Sequence, residues 1–225
     1  MSTAPTGQER IDTRDMIVVH TALLREIRLA PALVRSSPPD NSRRTRVIAE
    51  HLDFLLDLLE HHHAGEDRLL WPVLRERLPD EVAPVVELMT SQHEQVHQAS
   101  GAVSAALTQW RGQPSPAARD ELADRLAELH GVLEQHLDAE EREILPLAAA
   151  SLTRPEWAAI GAAGAAAVPK PKLLMVFGMF GYEGDPEVVG NMVQEAPPPV
   201  RPVVRMLAPR AYARYARSVH GTPTP

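Results

Sequence analysis

The chain has 225 residues and a formal net charge of −7, which gives no electrostatic case for nucleic-acid binding. Aromatic residues make up 4%, too few for base-stacking platforms. Cysteine is absent, which excludes disulfides, thiolate metal sites and iron–sulfur clusters, so any metal must be held by His, carboxylate or Tyr.

In chain order, residues 1–15 are polar with both charge signs and lack an apolar stretch, so no secretory signal is expected. Asp12 and Thr13 are caps for a first helix carrying Ile17, His20, Leu24 and Ile27 at 3–4 spacing. Pro31 is expected to kink or end it, and residues 36–42 read as a loop. A second helix places Ile48, Leu52, Leu55, Leu59, His62, Glu66 and Leu69 on one face and breaks near Trp71-Pro72. A third, from about Pro84, aligns Val86, Met89, His93, Val96, Ser100, Val103 and Leu107. After a loop at 112–116, a fourth aligns Leu122, Leu126, Leu129, Leu133, His136, Glu140 and Ile144. The reading is all-α: an up-down-up-down four-helix bundle over 12–150. A capping box at 153–156 opens an extension over 151–225. It is read as short helices and Pro-rich loops packed on the bundle, with an arginine-rich end from 197 that reads as a solvated face. The longest apolar run, Leu173 to Gly181, is far short of a membrane span, and a cytoplasmic protein with no membrane contact is expected.

One phrase occurs twice. His62-x-x-x-Glu66 is followed by Pro72, and His136-x-x-x-Glu140, 74 residues on, by Pro146. The copies also share Asp67 with Glu141 and Arg68 with Arg142. Residues four apart on a helix point the same way. Each half also has a lone His on its first helix, His20 and His93, so the bundle reads as two αα-hairpin repeats face to face. A single His-x-x-x-Glu pair is most often a solvated i,i+4 pair. Here the pairs sit within leucine-rich stripes, where four buried polar groups cost several kcal/mol unless something satisfies them. Two facing pairs make the inner shell of a carboxylate-bridged dinuclear metal site.

Within the triplet His61-His62-His63, the second copy selects His62, because Leu137 stands opposite His63; His61 and His63 are then solvated or outer groups. His51 lies roughly 16 Å along the axis from His62, too far to ligate. His97, four residues after His93, can face the same metal, although Leu24 stands at its place in the first half; it is either a ligand or an outer partner. The metal set is therefore His20, His62, Glu66, His93, His97, His136 and Glu140. Tyr182, at the end of the apolar run, could reach a metal or gate the site if the extension folds over the bundle end; the alternative is a Tyr that only packs. His130 and His220 have no partner in the pattern.

The order lone His, His-x-x-x-Glu, His with a second His four on, His-x-x-x-Glu, in the phrases HHHAGEDRLLWP and HLDAEEREILP, resembles the hemerythrin and HHE cation-binding family over roughly 12–150. The whole chain, with its Pro- and Arg-rich tail, is similar to hemerythrin-like proteins of actinobacteria. The resemblance implies a non-haem di-iron site inside a four-helix bundle. Oxygen-carrying hemerythrins have Asp after a longer gap in the last motif, and Glu140 at spacing four departs from simple reversible O₂ carriage. Imidazole with carboxylate suits iron. Two irons offer about twelve positions, of which an oxo or hydroxo bridge, two bridging glutamates and four histidines leave about two, or about one with His97. Two open positions favour redox turnover and one favours end-on capture. The expected small molecule is H2O2, broken down in a catalase-like reaction; O₂, NO or iron binding or sensing without turnover is the alternative. A ferritin-like iron oxidase needs more carboxylates than the stripes supply. A monomer or weak dimer is expected.

Overall fold

The computed structural model describes residues 10–38 and 41–225. Most of the N-terminal stretch read as lacking a secretory signal lies outside the described residues, as do positions 39 and 40 of the first loop. Among the described residues the secondary structure is entirely helical.

Four long helices form the bundle: α1 (Arg14–Arg35), α2 (Ser42–Leu69), α4 (Pro79–Gly112) and α5 (Pro116–Ala139), with the short α3 (Trp71–Arg77) between α2 and α4. Asn41 caps α2 by accepting from the Arg44 N–H, and Ser115 caps α5 by accepting from Ala118. Helix α1 packs on α2 and α5, and α4 packs on the same two, closing a ring. Pro31 does not end α1: the helix runs on to Arg35, because Ala30, Leu33 and Val34 are buried in the core and outweigh one lost backbone hydrogen bond. Helix α4 likewise starts earlier than Pro84, at Pro79, with Pro84 inside it.

The apolar stripes form two separate clusters within this ring. One holds Leu23, Ile27, Leu52, Leu55, Leu59, Val96, Leu107, Leu126 and Leu133. The other holds Met16, Leu70, Trp71, Leu74, Val86, Met89, Ile144 and Leu145. Helices α1 and α4 enter the second cluster first, whereas α2 and α5 enter the first cluster first. That alternation is the up-down-up-down course. On each helix the gap between clusters contains the polar residues of interest: His20 on α1, His62 to Glu66 on α2, His93 on α4, and His136 to Glu140 at the end of α5.

The two copies of the repeated phrase end differently. The first breaks at Leu70, and α3 starts with Pro72 in its first turn. The second continues through a π turn, Glu140–Ile144, into α6 (Leu145–Ser151), with the Leu145 N–H reaching back to the Glu140 carbonyl. Pro146 offers no N–H to the carbonyl at 142, and the wider turn accommodates it.

After Thr153 and Glu156, which cap each other reciprocally, come α7 (Arg154–Ala167), a short 3₁₀ turn, α8 (Leu173–Glu183), α9 (Pro186–Glu195) and α10 (Arg201–His220). The extension holds a longer element than the short fragments expected: α10 has 20 residues, with Pro202 in its first turn and Pro209 inside. Ala208 and Tyr212 sit buried against α8. Gly178 makes the close approach possible, since a Cβ there would lie 2.1 Å from the Ala208 carbonyl oxygen. Helix α7 packs on α2, and α8 packs on α1, with Ala22, Phe54, Met175, Val176 and Met179 in one apolar cluster.

Candidate metal centre

Five histidines and two glutamates meet in the polar layer between the apolar clusters. They form two groups whose ligand atoms lie within 4.8 Å of one another: His20, His62, Glu66 and Glu140, and His63, Glu66, His93 and His136. Glu66 belongs to both. Its Oε1 is 3.1 Å from His62 Nε2, and its Oε2 is 3.3 Å from His93 Nε2. Across the layer, His20 Nε2 is 3.1 Å from His62 Nε2 and 3.6 Å from Glu140 Oε2, and His136 Nε2 is 3.8 Å from Glu140 Oε2. Glu66, Glu140 and His136 have no solvent exposure.

His20 and His62 pair with each other, but most of the other atoms converge without a hydrogen bond. Both oxygens of Glu66, both of Glu140, both nitrogens of His136 and the Nε2 atoms of His63 and His93 are buried without a hydrogen-bond partner among the described residues. An orphaned buried polar atom costs about 1–3 kcal/mol. Eight of them in one place mark a site built for a cation.

The outward nitrogens are held where the inward ones are not. His20 Nδ1 donates to Glu141 at 2.9 Å, and His93 Nδ1 donates to Asp67 at 3.0 Å. Asp67 and Glu141 are the matching residues of the two repeats. Each directly follows a glutamate of the cluster and orients the lone histidine of another helix, fixing its proton on Nδ1 and leaving the Nε2 lone pair inward. Asp67 also accepts from the Trp71 indole at 2.8 Å.

Electrostatics follow from burial. Burial pushes Glu66 above the usual carboxylate range, and it pushes Glu140 up to about 8, with the neighbouring Glu66 adding to the shift. Burial, together with the surrounding imidazoles, holds His62 and His63 well below the ordinary histidine value and His136 down to about 3. At neutral pH those three present neutral imidazoles, the form a metal binds. His93 is pulled down by burial, but Glu66 and Asp67 outweigh this and leave it raised.

The structure brings together His20, His62, Glu66, His93, His136 and Glu140. It corrects three other assignments. His97 does not join the cluster: its side chain is 67% exposed and its Nδ1 faces Glu60 at 3.3 Å. The inward stripe of α4 continues through buried Val96, three residues after His93, which leaves His97 rotated outward. His63 is not solvated: it is buried and stacks on His93 with ring centroids 4.4 Å apart. Tyr182 points elsewhere, donating to the Pro225 carbonyl and packing on Tyr212 with Arg25 over its ring, so it belongs to the packing of the extension. We expect His63→Ala to lower metal content and His97→Ala to leave it unchanged, as read by metal analysis of the purified variants.

A second polar cluster makes a useful contrast. Glu26, His51 and His220 also bring three possible ligand atoms together, so His220 has the partner that the sequence pattern did not offer. Here Glu26 is already served: Oε1 accepts from Arg25 at 2.9 Å and Tyr212 at 2.7 Å, and Oε2 accepts from His220 at 3.0 Å. His51 Nδ1 pairs with the Tyr215 hydroxyl at 2.9 Å. This network ties α10 to α1 and α2, and Arg25 supplies the positive charge that Glu66 and Glu140 lack.

A bundle of paired helices with a buried layer of His and Glu side chains defines a protein whose core could hold metal ions. The chain belongs to the hemerythrin HHE cation-binding domain family, whose pattern matches residues 12–148. No curated protein and no solved structure matches it significantly. No single helix among the described residues is long and apolar enough to cross a membrane.

Proposed function

We propose that this chain is a non-haem di-iron protein that breaks down hydrogen peroxide, 2 H2O2 giving 2 H2O and O2, at an oxo- or hydroxo-bridged pair. The observation that carries the reading is the set of orphaned atoms arranged as two groups sharing Glu66. The donor set fits: imidazole nitrogens and carboxylate oxygens without thiolate suit iron. Bound iron supplies reversible one-electron steps that the side chains cannot.

The chain's own contribution is positioning. Glu66 offers one oxygen toward His62 and the other toward His93, and so spans both groups. Asp67 and Glu141 hold the His93 and His20 rings at fixed orientation. The leucine-rich cluster on one side and the Trp71–Met89 cluster on the other exclude bulk water. Because burial raises Glu140 to about 8, metal uptake at neutral pH would have to displace its proton, and affinity would fall as the pH falls.

A second reading has one observation in its favour. His63 lies in the cluster and His97 does not, so five histidines rather than four could hold the metals, which would leave fewer positions open. That tally favours end-on capture of O2 or NO without turnover. The deciding experiment adds H2O2 to the iron-loaded protein and follows O2 with an electrode. Sustained release over many equivalents supports peroxide breakdown; a spectral change with no release, or release no faster than free iron gives, rejects it.

A further inference from the structure

The C-terminal extension builds a cleft of about 180 Å³ against the bundle, and one metal-cluster residue forms part of its wall. Helices α1 and α2 contribute Met16, Leu58, His62 and Gly65; α7 contributes Trp157, Gly161 and Gly164; α8 contributes Phe177 and Phe180. We propose that this cleft binds a small neutral aromatic molecule, of the size of one ring with a short substituent, and seats it against His62.

Size is the first argument. An apolar cavity of about 150 Å³ stays dry and takes up benzene, so this cleft has room for a ring and a little more. Shape is the second. The helices are bare where they face the space: a Cβ built on Gly65, Gly161 or Gly164 meets nothing within 4 Å. Glycine inside a helix costs up to about 1 kcal/mol relative to alanine, and three of them around one void keep it open. Chemistry is the third. The walls are otherwise Trp157, Phe177, Phe180, Met16 and aliphatic side chains, which suit ring edges and faces. Among the described residues no Lys or Arg lines the cleft, and Asp15 lies on it, so an anion is disfavoured. The lining polar groups are largely committed: the Asp15 carboxylate accepts the Trp157 indole N–H at 3.0 Å, and His61 Nδ1 pairs with the Asp57 carbonyl. A neutral apolar ligand answers all three. Because His62 belongs both to the cleft wall and to the His/Glu cluster, the extension places an organic molecule beside the centre where small oxidants are handled. Binding itself does not depend on which oxidant that is.

The test titrates fluorobenzene into the purified full-length protein and follows its ¹⁹F resonance. The wild type should show saturable broadening. Gly164→Leu, whose Cβ meets nothing within 4 Å at a position lining the cleft, should weaken binding at least about tenfold while helicity and metal content stay unchanged. Gly161→Leu provides a second filled variant should the first fold poorly. Absence of saturable binding to the wild type, or undiminished affinity in both filled variants, overturns the proposal. Either result leaves the peroxide reading untouched, because the readout is binding.

Discussion

Replacing Glu66 by Leu should remove metal from both halves of the centre and at the same time make the metal-free protein more stable. Glu66 is the residue common to both ligand groups, so its loss opens two coordination sets at once. Without metal, its two buried oxygens have no hydrogen-bond partners among the described residues, and burial holds the carboxyl protonated beyond the usual range. An apolar side chain of similar length relieves that cost, about 1–3 kcal/mol. Metal content should fall from about two ions per chain to near zero, and the chelated variant should melt several degrees above the chelated wild type. A variant that keeps its metal, or whose metal-free form melts lower, contradicts this account of the layer. The expected exchange of stability for function is the signature of a binding site whose own groups are strained when empty.

Glu26→Ala should do the reverse: strong destabilisation with metal binding kept wherever the fold survives. Its carboxylate is the buried counter-ion of Arg25 and accepts from Tyr212 and His220. Removing one partner of a buried pair costs about 3–5 kcal/mol, because Arg25 is left charged and buried. The melting temperature should drop by roughly 10 °C. The same network sets an acid limit. Burial raises the Glu26 pKa, but His220, His51, Tyr212 and Arg25 outweigh it and hold the group down to about 2, below its ordinary 4.5. Its contribution is therefore complete above about 4.5 and is lost as the pH falls toward about 2. His51 is held down to about 4 by burial, so between its ordinary 6.5 and about 4 the unfolded chain takes up a proton that the folded chain refuses. Stability should fall across that window as acid is added. Melting curves from pH 7 to pH 3 check both points, and the Glu26→Ala profile should be flatter below 4.5.

Much of this was legible in the sequence because helical period is a local signal. The leucine stripes of α2 and α5 run directly into His62–Glu66 and His136–Glu140, and the repeated phrase marks the polar layer in the sequence itself. The repeat misled where the halves are not equivalent. Leu137 opposite His63 argued against His63, yet His63 turns into the cluster and stacks on His93, with nothing in the second half answering to it. His97 was tempting at one turn from His93, but a stripe that steps by three to Val96 leaves it facing Glu60. The same Pro in the two copies accompanies a helix break in one and a π turn in the other, a difference that the repeated phrase does not encode. The extension was hardest to read. Glu26 and His220 are 194 residues apart, and no periodicity links an α1 carboxylate to the last turn of α10.

Metal analysis of the purified protein tests the central claim most directly. Iron at about two per chain, together with near-ultraviolet bands of an oxo-bridged pair, is the predicted result. A protein that holds no metal, and that takes up none when iron is supplied under anaerobic conditions, would contradict it.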